Sequence, residues 1–237
     1  LVFFFVKEIN KERSKEGDIW DNYRFVFKNQ RLKYALLLLV ISAAAISMIQ
    51  PLFALFIENK IGSTAYLATI TGSIFGVVGL FQVISSSFWG KLNDRREIRR
   101  NLVWALIGAG IGYALHVVTT GVWELVPIRA LLGLCIGGVM PSLFSFINKC
   151  IPAHKKGGVM GIASSFTMLG NLLGPISSGF IASITSIDFM FILSGIILAS
   201  SSVLAYYKLK EKPSDKDRIS DTDKSKIKEE IAAGVLD

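Results

Sequence analysis

The chain has 237 residues, 51% apolar and only 19% charged, against the quarter of charged residues usual in soluble domains. Its two cysteines, Cys135 and Cys150, lie 15 residues apart in one apolar stretch, roughly 22 Å along a helix at about 1.5 Å per residue. That is too far for a disulfide, and a disulfide scaffold, a Cys/His zinc site and a disordered chain are all excluded as organising principles. The net charge of +8 would suit nucleic acid, but its placement argues otherwise.

Residues 1–6 are apolar but too few to span a bilayer, and they read as the end of a preceding membrane helix. Residues 7–33 form a charged linker with 8 basic and 5 acidic residues. Its second half, with Ile19, Trp20, Tyr23, Phe25 and Phe27 among Lys28, Arg31 and Lys33, reads as a stretch lying on the membrane surface. Six runs of about 20 apolar residues follow, near 34–57, 65–89, 101–119, 122–148, 158–183 and 189–207. They predict a six-helix transmembrane domain over 34–207. Residues 208–237 form a solvated tail.

Segments 7–33, 90–100, 149–156 and 208–237 hold 8, 5, 3 and 8 Lys and Arg residues, which is 24 of the 26. The loops between them, near 58–64, 120–121 and 184–188, carry almost none. By the positive-inside rule both ends face the cytoplasm, so the basic excess is a topology signal and nucleic-acid binding is not expected. Trp89, Trp104 and Trp123 sit at span ends, where indoles favour the interface.

Nineteen of the 21 glycines lie between Gly62 and Gly195. Small residues let helix backbones approach closely in lipid, and Gly72/Gly76, Gly108/Gly112 and Gly133/Gly137 form small-xxx-small pairs. Pro51, Pro127, Pro141 and Pro175 fall within or beside spans and can bend them.

Three patterns occur in fixed order. Gly90-Lys91-Leu92-Asn93-Asp94-Arg95-Arg96 lies between the second and third spans. Arg129 is followed four residues later by Gly133 in the fourth. Gly161, Gly170 and Gly174-Pro175-Ile176-Ser177-Ser178-Gly179 lie in the fifth. Together they resemble the major facilitator superfamily, and within it the drug:proton antiporter branch of twelve-helix multidrug efflux proteins. The family loop motif reads G-x-L-x-D-R-x-G-R-[KR]; its second Gly is Glu97 here. The antiporter motif reads G-x8-G-x3-G-P-x2-G-G; the first of its final pair is Ser178.

The resemblance implies an all-α membrane protein: a six-helix bundle, the carboxyl-terminal half of a twelve-helix fold, with a lost amino-terminal half as its partner. It implies a secondary active transporter in the cell membrane, not an enzyme, exporting lipophilic or cationic drugs by alternating access. The proton gradient would drive it, with no cofactor. The alternatives are a metabolite or sugar transporter of the same superfamily, or a non-transporting six-helix module.

The resemblance also assigns roles. Gly90, Asp94 and Arg95 would form a cytoplasmic latch, with the Asp94 carboxylate facing the start of the third span. Arg129 and Gly133 would belong to a coupling or gating network. Gly161, Gly170, Gly174, Pro175 and Gly179 would build a bend, with Pro175 breaking the helix ladder. A drug pocket would be lined by Gln50, Phe53, Phe75, Gln82, Met140, Phe144, Phe166, Met168 and Asn171, whose aromatic, thioether and amide groups suit flat lipophilic cations. Arg129 is the one basic residue deep in the apolar region, and no Asp or Glu lies deep in any span. If protons drive transport, the titrating acid belongs to the other half. His116 and His154 have no neighbours at metal-ligand spacing, and no nucleophile elbow, phosphate loop or zinc motif is present.

Overall fold

A backbone in hydrocarbon must satisfy every N–H and C=O within itself, so apolar runs of this length are expected to be helices. The computed structural model describes residues 19–62 and 64–209. The readings placed on residues 1–18 and on the tail beyond Leu209 lie outside the described residues.

The elements are α1 (Ile19–Lys28), α2 (Gln30–Met48), α3 (Phe53–Ile61), α4 (Leu67–Arg95), α5 (Ile98–Leu115), α6 (Val122–Cys150), α7 (Lys156–Ala182) and α8 (Ile187–Lys208). Short 3-10 turns at His116–Val118 and Ala153–Lys155 follow α5 and precede α7. Six segments are long and apolar enough to cross a membrane: Gln30–Ile61, Leu67–Arg95, Ile98–Val118, Val122–Cys150, Ala153–Ala182 and Ile187–Lys208.

Local chemistry sets the helix ends. The Asn29 side chain accepts a hydrogen bond from the Arg31 N–H (3.1 Å), and the Ser186 hydroxyl accepts one from Phe189 N–H (3.2 Å), capping α2 and α8. The Glu124 carboxylate reaches back to the N–H groups of Thr120 and Gly121, closing the turn before α6. Gly62 ends α3 with φ of 75°, a conformation that favours glycine.

The prolines act unequally. Pro51 interrupts the first span, which stops at Met48 and resumes at Phe53. Pro127, Pro141 and Pro175 lie inside α6 and α7, which run on unbroken. At Pro175 the ring removes the N–H owed to the Asn171 carbonyl, and the helix continues across that gap in its ladder.

Packing relates the first three spans to the last three. The second span packs chiefly on the fourth and the fifth on the first, while the third and sixth pack on each other. Exchanging spans one to three with four to six maps each contact onto another. The second and fifth spans flank this core and are the least enclosed. Only 6% of the apolar window of α4 is buried in the chain, against 61% for the first span.

Two glycine pairs hold the flanking helices close. At Gly133 a Cβ would lie 2.5 Å from the Val78 carbonyl oxygen, and at Gly137 it would lie 2.7 Å from that of Gln82. At Gly170 it would lie 2.5 Å from the Val40 carbonyl, and at Gly174 the same from that of Ala44. Each seam carries a serine: Ser85 donates to the Gly133 carbonyl (3.4 Å) and Ser47 to that of Gly170 (3.5 Å). Gly108 and Gly112 receive Cys135 and Leu132 of α6. Gly72 and Gly76 have no neighbour for a Cβ within 4 Å among the described residues, so this third expected pair forms no seam within them.

Candidate functional site

The break at residues 49–52 is the starting point. Pro51 has no N–H, and the Gln50 N–H turns to the Ser47 carbonyl (3.2 Å). The Ile46 carbonyl, which Gln50 would serve in a continuous helix, accepts instead from the Tyr113 hydroxyl (3.3 Å) of α5. An irregular backbone at this depth is tolerated where it is buried in protein or lines a cavity. A cavity of about 360 Å³ lies there.

Its wall draws on five spans: Ile46, Ile49 and Gln50 of the first, Phe75, Gly76, Gly79 and Gln82 of α4, Tyr113 of α5, Arg129, Ile136 and Met140 of α6, and Thr167 and Asn171 of α7. The amides of Gln50, Gln82 and Asn171 have no hydrogen-bond partner among the described residues, whereas the Thr167 hydroxyl is committed to the Ala163 carbonyl (3.0 Å).

Arg129 is 3% exposed. Its guanidinium sits 3.5 Å from the centre of the Phe53 ring and 5.9 Å from that of Phe75. Such contacts contribute about 2 kcal/mol when desolvated. They offset part of the cost of an arginine at this depth, at least ~2.5 kcal/mol on insertion scales. Among the described residues its Nε and Nη2 have no hydrogen-bond partner, and no carboxylate lines the cavity.

Behind Arg129 stands an aromatic cluster. Phe56 and Phe191 have ring centres 4.5 Å apart, and His116 stacks on Phe191 at 5.0 Å. His116 Nδ1 bonds the Gly112 carbonyl (2.7 Å), and Nε2 is unpartnered. Lys60 folds over the Phe56 ring at 5.3 Å and reaches the Thr119 carbonyl.

The structure brings together Gln50, Phe75, Gln82, Met140 and Asn171 on the cavity wall, with Phe53 beneath Arg129. Phe144 and Phe166 pack half-buried against the core instead. Met168 is 71% exposed and points away. It lies two residues before Gly170, whose face meets α2, and two helical residues turn a side chain by about 200°.

At the basic end, Gly90, Asp94 and Arg95 belong to the last turns of α4 rather than to a loop. Asp94 and Arg95 are exposed, and the acidic group at the start of α5 is Glu97, paired with Arg99 at 3.3 Å. Gly90, Gly161 and Gly179 have no neighbour for a Cβ within 4 Å among the described residues. The buried residue of the loop pattern is Asn93, next to Asp94. Its amide donates to Ser142 (2.9 Å), its carbonyl oxygen accepts from Asn101 (3.0 Å), and Lys149 donates to its backbone carbonyl (3.4 Å). This knot ties α4, α5 and α6. The signal for it was an amide beside the acidic residue of the motif; Tyr113, Thr167 and Phe191 offered none. The Trp89 indole N–H donates to the Leu134 carbonyl (2.8 Å) across Gly138.

The family model described as Major Facilitator Superfamily matches residues 3–234. The chain is 31% identical over 173 residues to a protein named multidrug resistance protein MdtG from Klebsiella pneumoniae, over 72% of this chain and 42% of that one. The protein of the same name from Salmonella typhimurium matches with the same figures. The chain therefore spans less than half the length of the curated relatives it matches. Among solved structures, the E. coli fucose:proton symporter FucP has the same fold, with a TM-score of 0.66 at 14% identity, over 89% of this chain and 52% of that one.

Proposed function

The chain belongs to the major facilitator superfamily of membrane transporters, and from that premise we propose that it is the carboxyl-terminal half of a secondary active multidrug exporter. The observation that carries this reading is the cavity between α4 and α7. It lies beside a broken first span, is walled by five spans, and is flanked by the two helices the chain encloses least. A midplane cavity at a repeat boundary, beside a discontinuous helix, is the arrangement by which two halves rock about one site. The names of the relatives support drugs as cargo.

In this reading the exposed apolar faces of α4 and α7 meet a second six-helix half. Residues 7–33 link the two halves, both ends of the chain are cytoplasmic, and the protein spans the cell membrane. Cargo of lipophilic character lies on Phe75, Ile136 and Met140. Gly133, Gly170 and Gly174 keep the flanking helices on their seams while the halves rock, and the knot at Asn93 holds the cytoplasmic ends of α4, α5 and α6 together. The energy source is the proton gradient. The spans described here contain carboxylates only near their ends, at Glu58, Asp94, Glu124 and Asp188, so the titrating acid belongs to the other half.

The test is Nile red efflux from loaded cells expressing the full reading frame, residues 1–237 alone, or neither, with and without a protonophore. Protonophore-sensitive efflux from the full frame only is the expected result. Equal dye retention in all three, with the protein confirmed in the membrane, would leave a non-transporting six-helix module.

A further inference from the structure

We propose that Arg129 anchors the anionic group of the cargo, and that the cavity therefore selects amphipathic organic anions over cations of the same shape. The proposal rests on the transporter reading and names the substrate class of its site.

The argument is an inventory of charge and hydrogen-bonding capacity. Among the described residues, the ionisable groups lining the cavity are Arg129 and Tyr113. The Tyr113 hydroxyl is committed to the Ile46 carbonyl. His116, from the 3-10 turn after α5, lies behind the wall on Phe191, and Lys60, from α3, is turned to Thr119. No element around the cavity brings a carboxylate to Arg129, and two of its guanidinium nitrogens are unpartnered. A buried guanidinium is the side chain best suited to a planar oxyanion, because its fixed fork of donors matches two oxygens at once.

The rest of the wall fits the same ligand. Gln50, Gln82 and Asn171 bring uncommitted amides from three different spans, each with N–H donors for further oxygens. Phe75, Ile46, Ile49, Ile136 and Met140 supply an apolar surface for a ring system. A volume of about 360 Å³ is at the lower end of drug-sized sites. Phe53 covers one face of the guanidinium at 3.5 Å, which restrains its plane. A cationic cargo would have to sit beside the same unneutralised charge.

The test uses two xanthene dyes of similar shape and opposite charge, fluorescein and rhodamine 123. Their binding to the purified full reading frame in detergent is followed by fluorescence anisotropy. Fluorescein is expected to bind at least about tenfold more tightly than rhodamine 123. Arg129→Gln is expected to weaken fluorescein by about tenfold or more and leave rhodamine 123 unchanged or tighter, and Arg129→Lys to keep part of the preference. Both variants are first checked for a monodisperse profile on size exclusion. The proposal is overturned if rhodamine 123 binds as tightly as fluorescein, if Arg129→Gln changes both dyes equally, or if neither dye binds. Arg129 is then held by a carboxylate of the other half. Arg129-dependent fluorescein binding without any efflux from cells would overturn the transporter reading and leave the anion site standing.

Discussion

Gly137 and Gly174 each seat a serine hydroxyl from the neighbouring helix, and each faces a backbone carbonyl that a methyl group would overlap. Gly161, on the same helix as Gly174, has no neighbour for a Cβ within 4 Å among the described residues. Alanine is therefore expected to separate them. Gly137→Ala and Gly174→Ala should destabilise the protein by about 1–3 kcal/mol through overpacking, while Gly161→Ala should stay within about 0.5 kcal/mol. The check is the fraction of monodisperse protein left after heating in detergent. Equal losses at all three positions would show that the seams are not where the helices are held. Small-residue spacing picked out Gly137, and the family motif picked out Gly161 and Gly174; a 3.6-residue period marks a face without saying what the face meets. The same ambiguity affected the cavity residues. Asn171 and Met168 both suited a drug site by type, and only the direction of Gly170 put one inside and the other out.

At the scale of the element, the first span and α1 show how local chemistry is overridden or used. A single apolar run reads as one helix, yet Pro51 divides it, because a Tyr113 hydroxyl is in place to take the orphaned Ile46 carbonyl. Pro127, Pro141 and Pro175 remove the same N–H and leave α6 and α7 whole, so proline by itself does not determine a break. Helix α1 is pinned to the start of the fifth span by Asp21 and Lys155, 2.7 Å apart, with Asn22 seated over Gly158. The Lys155 hydrogen bond and charge hold the Asp21 carboxyl below its ordinary value. A lowered carboxylate contributes stability that is present above its unfolded value and is lost as pH falls through the folded one. The protection factors of the α1 amides, corrected for the intrinsic exchange rate at each pH, should thus be flat from about pH 8 to 5 and fall below about pH 4. In Asp21→Asn the protection should be reduced already at neutral pH and lose that acid step. An acid step that survives the substitution would assign it to another group.

At the scale of the whole molecule, the exposed surface divides into a face that lines the cavity and one that does not. On α4, Phe75, Gly76 and Gly79 line the cavity, whereas Leu80, Ile84 and Phe88 are exposed and do not line it. In the full reading frame with Cys135 and Cys150 replaced by serine, Gly76→Cys should react with N-ethylmaleimide and Ile84→Cys should not, since a thiol in hydrocarbon or in a protein interface does not ionise. Fluorescein should slow the reaction at Gly76→Cys. A silent Gly76→Cys would show that the cavity is closed to water, and alternating access about this site would fail with it.

The amino-acid sequence by itself determined the class of the molecule. Hydrocarbon forces helices wherever about twenty apolar residues run together, and the clustering of 24 of 26 basic residues marks which loops share a side. It also marked Arg129 as exceptional, since a lone charge at that depth is visible without coordinates. Only the tertiary structure decided what surrounds that charge. Gln50, Gln82, Asn171 and Tyr113 come from four spans, and no sequence separation states that their side chains converge. Nor does it state that the buried residue of the loop pattern is Asn93 while Asp94 is exposed. Periodicity fixes the turn of a side chain about its own helix axis; the partner across the gap depends on how close the glycine seams let the helices come.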